Sequence, residues 1–480
     1  MVFNSFAFLI FFPVVTILYF LLPHKWRWLH LLIASCVFYM FFIPVYIVIL
    51  IFTIIIDYFA GILIDRAQGT RRKMWLLMSI VANVGVLAVF KYYNFFIMNT
   101  LWIANLFGAH PDLQYLNIIL PIGLSFHTFQ AMSYTIEVYR GNFKPVKDFG
   151  IYSLYVMFYP QLVAGPIERP QNLIHQFYEK HEFDYQRVVS GLKLMLWGLF
   201  KKVVIADRLG AYVANVFNFP HQHPGEPLTF WVAAWFFAIQ LYCDFGGYSD
   251  IAIGSARVMG FTLMTNFRRP YLGQSVGEVW QRWHISLTTW FRDYVFNPLG
   301  GYRRGKWRGI FNLGVLMFLA GLWHGANWTY VLCFLVFYVF LASRLIIRKP
   351  LQKFDDIVYK IHPLFGRIVN TILAFHCGIF SYVFFRSGSV SDALYYYQQM
   401  FSFKSLKFYE GDASTLWYGI FGIIVLLVIE EWQENYSKDK EAVFPEPKAM
   451  WGKFVFYAAV ITVIMLIGVF DASQFIYFQF

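Results

Sequence analysis

The sequence predicts an all-α protein, a polytopic helical bundle embedded in a membrane, and three features carry that prediction. Of its 480 residues, 59% are hydrophobic and only 14% are charged. Mean hydropathy is +0.53. Aromatic residues make up 21% of the chain, with 55 Phe, 32 Tyr and 16 Trp. A soluble domain keeps about a quarter of its residues charged, so a water-facing globule cannot bury this much apolar surface, and lipid is the expected solvent. The aromatic excess fits belts at the membrane–water interface.

The elements follow from hydropathy. Apolar stretches long enough to span lie near 5–22, 28–43, 45–64, 74–98, 117–138, 149–166, 188–206, 228–262, 308–346, 366–385, 414–431 and 450–470. Each span needs about 20 residues. The two long stretches, 228–262 and 308–346, each read as one tilted helix or a broken pair, giving roughly 11–13 membrane helices. No basic n-region precedes residues 5–22, which read as a retained first span. No internal repeat or long linker divides the chain, so 1–480 is expected to form one membrane-embedded domain.

The net charge of +12 could suggest a nucleic-acid partner, but the basic residues sit in short loops between spans, which topology and an anionic leaflet explain. Lys25 and Arg27 follow the first span, Arg66, Arg71, Arg72 and Lys73 the third, and Arg140, Lys144 and Lys147 the fifth. The positive-inside rule then places the N-terminus outside and the final residue, Phe480, outside as well. The basic loops 301–308 and 344–353 fall on the cytoplasmic side. Arg303, Arg304 and Lys306 in the first of these are suited to attract a polyphosphorylated donor. Cys36, Cys243, Cys333 and Cys377 lie in apolar segments without metal-ligand spacing, so neither a disulfide frame nor a metal site is expected.

One segment is too polar for lipid. In 275–299, Trp280, Trp283, Leu287, Phe291 and Tyr294 recur on one helical face and Arg282, Ser286, Thr289 and Asp293 on another, which predicts an amphipathic helix.

Ionisable groups inside a membrane are costly and point to function. The sharpest cluster is Gly321-Leu322-Trp323-His324-Gly325-Ala326-Asn327, within 308–346. An imidazole titrates near neutrality, so His324 can take a proton from a hydroxyl and return it to a leaving thiol. The glycines allow close backbone approach or a helix break. Asn327 shares the His324 face if the helix continues, and could orient it or donate to an oxyanion. The alternative is a neutral histidine that only bonds a neighbouring carbonyl. His284 sits between the aromatic and polar faces of 275–299, either aimed into a cavity or making a packing or headgroup contact. Asp244, Tyr248 and Asp250 form a polar cluster in 228–262. It could be a cation site, a proton relay or a set of partners for Arg257, Arg268 or Arg269, with structural pairing the favoured role. His127 and Glu137 read as buried network members, and His376 has no polar neighbours that suggest chemistry. Walker-type loops, GxSxG and HExxH are missing, which leaves ATP-driven transport and serine hydrolysis without support.

The segment RRPYLGQSVGEVWQRWHISLTTWFRDYVFNPLGG (268–301), followed by GLWHGANWTY (321–330), resembles the signature of membrane-bound O-acyltransferases (MBOAT), in particular the bacterial branch of alginate O-acetylation membrane proteins. LPIGLSFHTFQAMSYTIEVYRG (120–141), FYPQLVAGPIER (158–169), GLFKKVVIAD (198–207), YCDFGGYSDIAIG (242–254) and FSYVFFRS (380–387) match that branch in order; after about residue 390 the likeness is loose. The core motifs thus lie within 117–390.

The resemblance implies a helical bundle around a central channel, with the catalytic histidine at His324 and the second family position at His284. Trp323, Asn327 and Asp293 become supporting candidates for orientation or oxyanion stabilisation. It also implies acetyl-CoA as the donor substrate rather than a resident cofactor, O-acetylation of an exported polysaccharide or peptidoglycan in the bacterial cytoplasmic membrane, and a separate extracytoplasmic SGNH-type partner. The rival within the class is D-alanyl transfer to teichoic acid. The rival from another class is a polysaccharide or solute transporter, for which the paired short, broken spans of inverted repeats are not evident.

Overall fold

The computed structural model describes residues 1–117, 120–402, 405, 407–437, 442–470 and 476, and among them every regular element is a helix. Helices satisfy their backbone hydrogen bonds within one segment, as lipid requires. Seven helical segments among the described residues are long and apolar enough to cross a membrane: Pro44–Arg66, Gly69–Leu106, Pro227–Met259, Trp328–Ile346, Pro363–Arg386, Ala413–Asn435 and Met450–Ile467. Phe6–Leu21 is apolar but shorter. The expected position of Phe480 falls on a residue outside those described.

The remaining stretches from the roughly 11–13 expected spans take other forms. Leu124–Arg140 is a 17-residue helix that is buried along nearly its whole length, including His127, Gln130 and Glu137. Stretch 149–166 is two short helices, Phe149–Met157 and Tyr159–Leu162. Stretch 188–206 runs from Tyr185–Leu199 through a wide π turn, Phe200–Ala206, into Asp207–Asn218. A hydropathy window cannot tell a helix enclosed by protein from one enclosed by lipid, and the enclosed ones carry polar side chains.

The chain divides into two compact units, Met1–Met195 with Ile251–Met264, and Leu196–Asp250 with Thr265–Phe480. In the first, Asp57 is fully buried and accepts hydrogen bonds from Ser79 Oγ at 2.6 Å and Asn83 Nδ2 at 2.8 Å. His127 lies 2.6 Å from the Leu162 carbonyl oxygen, the carbonyl-bonded histidine of a buried network. Gly123 and Gly141 close the two ends of Leu124–Arg140 at φ +75° and +77°, a conformation that glycine adopts without strain.

In the second unit, the 308–346 stretch is a broken pair: Lys306–His324 and Trp328–Ile346. The 228–262 stretch is one unbroken helix, Pro227–Met259, whose residues up to Asp250 belong to this unit. The amphipathic helix expected over 275–299 is instead two seven-residue helices, Val276–Arg282 and Ile285–Phe291, followed by a π turn over Arg292–Phe296. The break falls at His284, whose backbone is left-handed at φ +41° and ψ +54°, and which therefore cannot continue a right-handed helix.

Candidate active site

His324 is the last residue of its helix, because Gly325 is extended and Asn327 already caps the next one. The Asn327 side chain accepts from Thr329 N at 3.1 Å, and its Nδ2 donates to Gly388 O at 3.4 Å. The condition that would put Asn327 on the His324 face, a continuing helix, is therefore not met. Gly321 lets the two helices meet tightly, since a Cβ there would stand 2.8 Å from Val331 Cα. A Cβ on Gly325 would stand 2.1 Å from the Tyr330 ring. The Gly-Leu-Trp-His-Gly motif is thus a hairpin whose sharp turn presents one imidazole.

That imidazole is 6% exposed. Its ring centroid lies 4.8 Å from those of Trp323 and Phe334 and 5.5 Å from that of Phe385. It faces a narrow cavity of about 20 Å³, lined also by Val279, Trp280, Trp283, Phe337 and Tyr382. Such a space holds about one water molecule.

The structure brings His284 to the same aromatic cluster, with its ring 6.0 Å from Trp323 and 4.7 Å from Phe245. A residue outside the candidate set holds it there. Asn266 Oδ1 accepts from the backbone N–H of Ser286 at 3.3 Å and from Ser286 Oγ at 2.9 Å, and lies 3.1 Å from His284 Nδ1. A backbone N–H can only donate, so this contact fixes which end of the amide is oxygen. The Nδ1 facing that oxygen then carries the ring hydrogen, and the lone pair of the neutral imidazole is on Nε2. Burial pushes the His284 pKa down to about 3, which keeps the ring neutral at pH 7. Asn266 Nδ2 donates to Ser249 Oγ at 3.1 Å. The one sequence signal for Asn266 is a polar residue just ahead of the Trp-His segment.

The carboxylates of 228–262 meet lysines, partners not among those considered from sequence. Lys202 Nζ lies 2.6 Å from Asp244 and 2.7 Å from Asp207, and Lys201 pairs with Asp250. The π turn over Phe200–Ala206 lets both of these adjacent lysines point inward. Tyr248 is buried on the same helix. Arg269 bonds Glu434 at 2.7 Å, while Arg257 takes Ser190 Oγ at 2.8 Å. Glu434 also accepts from Arg282 at 2.9 Å, so the loosely matching region after residue 390 supplies the counter-charge that anchors the Trp-His segment. Tyr242 donates to Glu430 from that same region.

The remaining candidates lie at the surface. Asp293 pairs with Arg292 at 2.9 Å, and Arg303, Arg304 and Lys306 are exposed beside Tyr302.

A model of the family described as MBOAT, membrane-bound O-acyltransferase family, matches residues 148–385. The chain is 36% identical over 420 residues to the probable alginate O-acetylase AlgI of Pseudomonas aeruginosa, covering 87% of this chain and 78% of that protein. It is 30% identical over 403 residues to the peptidoglycan O-acetyltransferase of Helicobacter pylori, covering 78% and 73%. With the teichoic acid D-alanyltransferase of Bacillus subtilis it shares 27% identity over 238 residues, covering 47% and 60%.

Proposed function

Because the chain belongs to the membrane-bound O-acyltransferase family, we propose that it takes an acetyl group from cytoplasmic acetyl-CoA for O-acetylation of an exported cell-envelope polysaccharide or peptidoglycan. The observation that carries this reading is the His324 hairpin: a polar ring at a helix break, facing a cavity, in a chain 36% identical to a probable alginate O-acetylase.

In the mechanism we favour, His324 removes the proton of the acceptor hydroxyl as its oxygen attacks the thioester carbonyl. The carbon–sulfur bond breaks, and the thiolate leaves with the proton returned by His324. His284, held neutral with Nε2 as its acceptor, assists from the same cluster. Trp323 or nearby backbone N–H groups are the candidates to stabilise the oxyanion. An acetyl group is larger than the one-water cavity, so donor entry displaces the aromatic lining. Asp244 and Asp250 act structurally, through the lysine pairs, and Tyr248 through its burial on the same helix.

The whole chain acts as one domain in the bacterial cytoplasmic membrane, with the N-terminus extracytoplasmic, and a separate SGNH-type protein completes transfer to the polymer. Acetyl rather than D-alanyl transfer is favoured because the O-acetyltransferase relatives match over more of the chain at higher identity.

The test is transfer of labelled acetyl from acetyl-CoA by purified protein, with no ion gradient. His324→Ala should lower the rate by about 10²–10⁴-fold, the usual worth of general acid–base catalysis, with an unaltered gel-filtration profile. An equally active variant would overturn the assignment.

A further inference from the structure

We propose that a second cavity of the same unit binds the phosphate-bearing end of the thioester donor, with Arg344 and Arg348 as its anion-recognising pair; this rests on the acetyl-CoA reading above. The cavity has a volume of about 600 Å³, and its walls include Gly277, Gln281, Tyr302, Leu341 and the two arginines. Arg344 sits in the last turn of Trp328–Ile346 and Arg348 opens Arg348–Ile361, so the bend at Ile347 puts both guanidinium groups on one rim. Both residues are exposed, and among the described residues neither forms an ion pair. The one carboxylate on the lining, Asp355, accepts instead from Asn370 Nδ2 at 3.1 Å.

Two unpaired, planar, permanently charged forks on one rim suit phosphate oxygens. The position of the cavity selects which phosphate. The helix Val276–Arg282 is a partition: Val279 and Trp280 line the His324 cavity, and Gly277 and Gln281 line this one. Trp328–Ile346 serves both cavities as well, through Phe337 on one side and Arg344 on the other. Those two residues are about two turns apart, about 10 Å at 1.5 Å per residue. A flexible pantetheine arm with phosphates at one end and the acyl group at the other needs this arrangement: cations at one site and an imidazole within reach beyond a thin wall. The basic loops at 301–308 and 344–353, each placed on the cytoplasmic side from charge alone, both reach this cavity.

The probes are coenzyme A and pantetheine, which shares the arm but lacks phosphate, titrated into purified protein in nanodiscs of zwitterionic lipid. Wild type should bind coenzyme A more tightly than pantetheine. The double variant Arg344→Gln/Arg348→Gln should weaken coenzyme A binding at least about tenfold and leave pantetheine binding unchanged. Gly277→Leu should give the same selective loss with both charges kept, because a Cβ there meets nothing nearer than 3.9 Å and its side chain extends into the cavity. Coenzyme A affinity that survives both variants, or an equal loss for pantetheine, overturns the pocket alone. A loss seen only in nanodiscs with anionic lipid identifies a headgroup phosphate as the ligand and removes the donor assignment. Wild type that binds neither probe overturns the acetyl-CoA reading and this inference together.

Discussion

Stretches 228–262 and 308–346 both exceed the length of one span and both carry glycine beside polar residues, yet the first folds as one helix and the second as two. In the first, the polar groups find partners without disturbing the backbone: Asp244 and Asp250 are met by Lys202 and Lys201. Its glycine serves contact, since a Cβ on Gly247 would stand 2.6 Å from the Gly198 carbonyl oxygen. In the second, Gly325 is extended and Asn327 supplies the cap that begins a new helix. What a glycine means inside an apolar stretch is thus decided by what stands opposite it. A buried charge is compatible with an intact helix when its counter-charge arrives from elsewhere.

Substitutions at three positions test that contrast. The largest effect is expected for Asp244→Ala, which strips one carboxylate from the fully enclosed Lys202; breaking a buried pair costs about 3–5 kcal/mol, with Asp207 retaining part of the compensation. A thermal unfolding transition in detergent that did not move would show that the pairing is dispensable. Gly247→Ala should follow at about 1–3 kcal/mol, the usual cost of overpacking, and an undisturbed melting curve would mean that the helices separate freely at this point. The smallest effect belongs to the broken stretch. Asn327→Ala should cost about 1 kcal/mol as a lost N-cap, whereas Asn327→Asp, itself a good cap, should cost almost nothing. A transfer rate lost in both variants would instead assign the Asn327 amide nitrogen a role in orientation.

Composition and hydropathy were sufficient for the membrane bundle, and the two Trp-His segments located both imidazoles that the fold gathers around Trp323. The break after His324 was one of two readings the glycines allowed. Four features were hidden for physical reasons. The kink at His284 is invisible to periodicity, because the two short helices on either side keep their apolar faces whatever the backbone does between them. Asn266 matters through side-chain contacts across a loop, which no spacing rule encodes. Glu430 and Glu434 lie far along the chain from Tyr242 and Arg282, so only tertiary packing reveals them as partners. The inward pair Lys201 and Lys202 likewise depends on a π turn, whereas neighbours on a regular α-helix diverge.

Among the described residues only Arg269 and His284 hold a positive φ without being glycine. An L-residue in that basin costs about 1–2 kcal/mol, and glycine largely escapes the penalty. In the mechanism proposed above, stability and turnover therefore pull position 284 in opposite directions. Pressure for thermal robustness alone favours glycine there, and a homologue that had lost its chemistry would be free to yield to it. An imidazole at a residue where the backbone itself resists one marks a place where this fold accepts a weaker native state in exchange for a ring in a fixed orientation.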